Sequence, residues 1–171
     1  TQPGFAELVK ESAPDIRFLV ITDNNAGDKA KTPDSVPHIP FAELLGDKGA
    51  CPVRATDPHA NLGIQFTSGT TSRPKAVLWT HANTIWGAQM NASHMRLSGA
   101  DITLAFLPLF HTNAQSYSML GSLWVGGTIV VQPRFSASRF WPTARKHKCT
   151  WTSLIPFCVK ALLSQDPPPD H

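Results

Sequence analysis

At 171 residues the chain is long enough to bury a core of its own, and with 42% apolar and 16% charged residues it belongs with folded rather than disordered proteins. No apolar run approaches bilayer length: Ile102 to Phe110 is short and is interrupted by Pro108. The net charge of +3 is uneven, since residues 1–57 carry 6 basic and 9 acidic groups and residues 58–171 carry 9 and 3, so the second part favours an anionic ligand or an acidic neighbouring surface.

In chain order, Arg17 to Thr22 is a short β-rich run between Pro14 and the polar Asp23–Gly27 stretch. A loop is predicted from Gly27 to Pro40, then one or two helical turns over Phe41–Leu45 that stop at Gly46. Cys51 to Pro58 has no period and is predicted as a connection. Two β-like runs follow, Leu62–Phe66 and Ala76–Trp79, and then a helix over His81–Leu97 capped by Thr80. Beyond it come a strand at Asp101–Phe106, a helix at Asn113–Trp124 ending at Gly126-Gly127, and a strand at Thr128–Val131. A helix at Ser138–Lys148, a strand at Trp151–Ile155 and a helix at Phe157–Leu163 complete the series. If Ser138 is the cap, Pro142 sits in the tolerated first turn; an earlier start puts it in the helix interior, where it should kink the helix. Three strand–helix–strand passages predict an α/β fold of layered mixed sheets with helical crossovers.

Several site chemistries find no support. The three cysteines, Cys51, Cys149 and Cys158, form no C-x-x-C pair, and none of the seven histidines completes a zinc spacing, so no metal site is expected. Reduced thiols and a cytoplasmic location are expected instead. Arg134, Arg139, Arg145, Lys146 and Lys148 form a basic cluster without an acid, which reads as a solvated helix face; no nucleic-acid module accompanies it. Ser68 does not sit in a G-x-S-x-G elbow. Trp86, Trp124 and Trp141 are assigned to the core, with cation–π contact as their other use.

The informative stretch is Phe66 to Val77. Thr67, Ser68, Thr70 and Thr71 supply hydroxyls, Gly69 lets a backbone approach closely, and Lys75 adds a cation beside them. Hydrogen bonds to charged groups contribute roughly 1.5–3 kcal/mol each, so three or four would hold a nucleotide at micromolar affinity. No Gly-Lys pair follows Gly69, so this is not the nucleotide loop of strand–GxxxxGK[ST]–helix proteins. On residue chemistry alone, an anion cradle and a Ser/Thr-rich hairpin loop held by its own hydrogen bonds stand level.

Thr67-Ser68-Gly69-Thr70-Thr71-Ser72-Arg73-Pro74-Lys75 closely resembles the phosphate loop of the adenylate-forming acyl-CoA synthetases, the AMP-binding family, usually T-S-G-T-T-G-x-P-K-G-V. Ser72 and Ala76 stand where that family has Gly. The Ser72-Arg73 pair is similar to the crotonobetaine/carnitine–CoA ligase branch. Leu107-Pro108-Leu109-Phe110-His111 resembles the family's L-P-x-F-H segment, and Phe135–Trp141 with Thr152–Pro156 gives a weaker match. The resemblance implies a fragment of the large N-terminal AMP-binding domain, spanning 1–171, in which Thr67, Ser68, Gly69, Thr70, Thr71, Ser72 and Lys75 bind ATP phosphates and His111 lines the acyl channel. It further implies ATP, Mg²⁺ and CoA, with a carboxylic acid activated as its adenylate and passed to the CoA thiol. The opening Thr1-Gln2-Pro3 is expected to be an internal cut and Pro167–Pro169 a linker or terminal tail. Without the family's adenine pocket, C-terminal domain and adenylation lysine, the piece is expected to be inactive alone, and no residue is assigned as catalytic. The alternative is a non-catalytic binding or scaffold module with a structural loop, and neither the acid nor the oligomeric state is legible.

Overall fold

The computed structural model describes residues 1–22, 31–32, 34–45, 57–67 and 73–165. The chain divides into two compact units, Thr1–Arg54 and Ala55–His171.

In the first unit, helix α1 (Ala6–Ser12) accompanies two short parallel strands, β1 (Leu19–Ile21) and β2 (His38–Pro40). Ala6, Leu19, Ile21 and Val36 form its core, with Val9 and Ile16 against them. Two features depart from the sequence expectation. Helix α1 has no counterpart among the predicted elements, and the tail of the predicted Gly27–Pro40 loop is strand. Pro40 is tolerated there because it ends the strand, where a missing N–H interrupts no ladder. The predicted helical turns shrink to a 3₁₀ turn at Phe41–Leu44, and the proposed stop at Gly46 lies outside the described residues.

The second unit opens with an antiparallel hairpin of β3 (Asn61–Thr67) and β4 (Lys75–Thr80). Thr80 ends β4 and caps helix α2 (His81–His94): its Oγ1 accepts from the Asn83 N–H at 3.2 Å, and Asn83 Oδ1 accepts from the Thr80 N–H at 2.8 Å. This reciprocal box satisfies helix-end donors that would otherwise lack partners. The helix stops three residues before the predicted Leu97. Arg96 takes a left-handed φ of 54°, and the Leu97 N–H turns back to the Ala92 carbonyl at 2.9 Å.

Three parallel strands form the second sheet, in the order β6 (Thr128–Val131), β5 (Ile102–Ala105), β7 (Trp151–Thr152). Period-2 alternation along β5 sends neighbouring side chains to opposite faces. Leu104 joins Phe106, Phe140 and Cys158 in the main core, beneath helices α4 (Ala137–Lys146) and α5 (Pro156–Leu163). Thr103, fully buried, meets Ser122 on the other side through a 2.6 Å hydroxyl contact. The layered α/β expectation therefore holds, with two helical crossovers rather than three. The passage from β4 through α2 to β5 joins separate sheets, because β4 is already paired with β3.

The predicted helix at Asn113–Trp124 is not a plain α-helix. Residues Asn113–Leu120 are π-helical, and α3 (Gly121–Trp124) follows; the Gly121 N–H reaches back five residues to the Ser116 carbonyl. Small buried residues, Ala114, Ser116 and Ser118, bring this wide turn close to its neighbours. The helix ends at the predicted glycines. Gly126 has φ of +70°, and a Cβ on Gly127 would lie 3.0 Å from the Asp101 carbonyl oxygen.

Three further expectations need correction. Helix α4 starts at Ala137, so Pro142 lies in its interior rather than in the first turn and supplies no N–H to the Ser138 carbonyl. The Trp151–Ile155 run is strand only as far as Thr152, because Ile155 caps a helix that begins at Pro156. Trp86, Trp124 and Trp141 are exposed instead of buried, although Trp141 packs edge-on to Phe140 at 5.0 Å. The five clustered cations are all exposed, as expected of a solvated face.

Candidate functional site

The hairpin register sets Thr67 directly opposite Lys75, so the two described ends of the Ser/Thr-rich loop are held together by strand pairing. Directly opposed residues share a face, and so do residues two apart. Gln65, Thr67, Lys75 and Val77 consequently line one face of the hairpin, while Ile64, Phe66, Ala76 and Leu78 line the other. Thr67, Arg73 and Lys75 are exposed, leaving one hydroxyl and two cations open to a ligand. Ser68, Gly69, Thr70, Thr71 and Ser72 lie outside the described residues.

The second predicted element begins where β5 ends. Ligand crevices in open α/β sheets form outside the carboxyl ends of strands, and Leu107–His111 leaves β5 at that end. A turn is closed by the His111 N–H donating to the Pro108 carbonyl at 3.0 Å, and the His111 carbonyl accepts from the Gln115 N–H at 3.0 Å. The imidazole is exposed and rests against the Phe110 ring, with centroids 4.5 Å apart and planes tilted by 50°.

One residue, absent from the predicted site, joins the two elements. Gln65 Nε2 donates to the Phe110 carbonyl at 2.9 Å, while Gln65 Oε1 accepts from the Thr112 hydroxyl at 2.7 Å. Its only signal in the sequence was a polar side chain inside a β-like run. Beside this bridge lies a cavity of about 160 Å³, whose lining includes Gln65, Trp79, Thr84, Phe110 and Gln115. The indole N–H of Trp79 and the hydroxyl of Thr84 are buried without hydrogen-bond partners, as is Asn113 Oδ1 at the start of the π-helical turn. Buried polar atoms in native proteins are nearly always satisfied, so this region holds uncommitted hydrogen-bonding capacity.

The other polar cluster is closed. Asp101, just before β5, accepts from the Thr150 hydroxyl at 2.7 Å and from the Ser98 N–H and hydroxyl at 2.8 and 2.9 Å. The Thr150 bond first, then those from Ser98, hold its carboxyl below the ordinary carboxylate value. Burial pushes the Cys149 and Cys158 thiols up, so both stay protonated and neither is an activated nucleophile. Among the described residues no group of three or more His, Cys, Asp or Glu could hold a metal ion, and no helix is long and apolar enough to cross a membrane.

Against known proteins, the profile of the AMP-binding enzyme family matches residues 4–171. A sulfoacetate–CoA ligase of Cupriavidus necator is 35% identical over 164 residues, which is 95% of this chain and 30% of that protein. A crotonobetaine/carnitine–CoA ligase of Escherichia coli is 31% identical over 169 residues, 96% of this chain and 31% of that protein. Among solved structures, the o-succinylbenzoate CoA synthetase of Bacillus subtilis in complex with ATP and magnesium ion superposes with a TM-score of 0.70 at 28% identity, over 94% of this chain and 34% of that one. The chain belongs to the AMP-binding enzyme family. It spans just under a third of the length of these two curated relatives.

Proposed function

From this membership we propose that the chain is the part of an ATP-dependent acid–thiol ligase that grips the nucleotide phosphates and borders the acyl channel. In the reaction, a carboxylate oxygen of the acid attacks the α-phosphorus of ATP and pyrophosphate leaves. The CoA thiol then attacks the acyl carbonyl of the adenylate, and AMP leaves. Because the chain spans less than a third of its curated relatives, this complete reaction is assigned to the protein at their length. Residues 1–171 are assigned to its N-terminal, AMP-binding part.

The observation that carries the reading is the pairing of Thr67 with Lys75 on the hairpin face that Gln65 ties to the His111 segment. Charge builds on the departing pyrophosphate, and Lys75 with the hydroxyl and N–H donors of Thr67–Ser72 is suited to meet it. These donors fit a triphosphate. Mg²⁺ carried on the phosphates would supply further charge neutralisation. His111, exposed beside Phe110, borders the acyl group as a gate; no carboxylate lies near it in the sequence to orient it as a general base. The Ser72-Arg73 signature and the identities of the relatives favour an acid bearing a second charged group, as in the substrates for which the two ligases are named. ATP and CoA as substrates, together with the unpaired thiols of Cys149 and Cys158, fit a cytoplasmic setting.

The test is acid-dependent ATP–pyrophosphate exchange by the natural-length protein, with sulfoacetate, crotonobetaine, medium-chain and aryl acids offered in turn. Exchange with at least one acid is expected, and none from residues 1–171 alone. Calorimetry with ATP–Mg²⁺ should give a clear heat for the wild type and a much smaller one for Lys75→Ala. No exchange with any acid, together with equal and negligible heats, would sink the reading.

A further inference from the structure

We infer that Gln65 is a positioning residue, setting the orientation of His111 from the phosphate-binding hairpin so that nucleotide occupancy is registered at the acyl channel. The inference rests on the functional reading above. It draws on three independent observations.

The first is the way the amide is used. Both ends are committed, Nε2 to the Phe110 carbonyl and Oε1 to the Thr112 hydroxyl, and these bonds cross 45 and 47 positions of sequence. The partners are the two residues flanking His111. A single planar group therefore holds the chain on either side of the imidazole while leaving the ring open to solvent. A bond to one neighbour would anchor the loop; bonds to both restrict rotation of the residue between them.

The second is placement on the hairpin. Gln65 stands two residues from Thr67 and shares its face with Lys75. Strand β3 is extended and paired without interruption from Gly63 to Thr67, so a shift of the Thr67–Lys75 end on meeting phosphate carries Gln65 with it.

The third is the lack of a packing role. β3 is exposed over most of its length, and Gln65 belongs to neither buried core cluster. A residue kept only for stability would be expected to bury apolar area here. This one delivers two directional bonds beside a cavity that holds unsatisfied donors.

The experiment follows the ¹³Cε1 ring resonance of His111 in the natural-length protein, assigned by its loss in His111→Gln, as Mg²⁺–α,β-methylene-ATP is added to saturation. In the wild type the resonance should shift. In Gln65→Leu and in Thr112→Val the shift should vanish, while nucleotide Kd stays within about threefold of wild type. Thr112→Val removes one bond without altering the hairpin, so it carries the test if Gln65→Leu fails to fold. A shift that persists in both variants overturns the inference, as does a variant whose nucleotide affinity collapses along with the shift. Nucleotide binding without any His111 shift in the wild type overturns the inference alone. No nucleotide binding by the wild type overturns the phosphate-site reading and the inference with it.

Discussion

Two polar clusters flank strand β5, one at each end, and they are built on opposite terms. At the amino end the Asp101 carboxylate accepts three hydrogen bonds from Thr150 and Ser98, and the Thr150 hydroxyl also accepts from the Ile102 N–H at 3.0 Å. Every group there is committed to another part of the fold. At the carboxyl end Gln65 clasps the chain around an exposed His111, while Asn113, Thr84 and Trp79 keep uncommitted polar atoms nearby. Satisfied polar groups lock β5 to its neighbours; unsatisfied ones keep the capacity for a further hydrogen bond. Under the proposed function, the contrast separates residues that serve the fold from residues that serve the chemistry, although both sets are polar.

The largest expected effect should move both ends together. Leu104 is almost wholly buried in β5 between the clusters, and Leu104→Ala should cost about 2–5 kcal/mol in denaturant unfolding. Activity should fall with the folded fraction. If stability were unchanged, β5 would not be the common support of the two ends. Next comes Lys75→Ala, which should lower pyrophosphate exchange roughly 10²–10³-fold with an unchanged unfolding midpoint, because the side chain is exposed. A loss of stability matching the loss of exchange would erase the distinction. His111→Ala should raise KM for the activated acid by about tenfold and leave KM for ATP nearly unmoved, as the loss of a channel contact should. An equal rise in both would remove His111 from the acyl side.

The smallest effect is at the closed end, and it appears only in acid. The carboxyl of Asp101 is lowered in the folded state, so its stabilising contribution is fully present above the ordinary unfolded value of about 3.9 and is lost as pH falls through the lowered folded value. Asp101→Asn should therefore flatten the acid limb of the stability profile and leave exchange at neutral pH unaltered. Thermal midpoints measured from neutral pH down into that range would show it, and an unchanged acid limb would mean that Thr150 and Ser98 do not discriminate the charged form.

Local residue chemistry made much of the fold legible. Thr80 announced the start of α2, Gly126-Gly127 announced the stop after Trp124, and the β-rich runs at residues 101–106 and 128–131 became paired strands. The failures have a common cause. Whether Pro142 falls in the first turn or the interior, whether three crossovers share one sheet, and whether a helix widens to a π turn depend on what packs against each segment. Composition is blind to that. The tryptophans show the same limit: apolar character says a ring can be buried, but the packing around it decides whether it is.

For the candidate site the division is similar. The sequence by itself determined the donor-rich stretch from Thr67 to Lys75, the cation at its end and the Leu107–His111 segment, because these are matters of residue type and spacing. Tertiary structure alone decided that Lys75 closes directly onto Thr67 and that Gln65 holds the chain on both sides of His111. A hydrogen bond between residues 45 positions apart leaves no periodic trace in the sequence. It exists only once strand pairing has fixed which face each side chain presents.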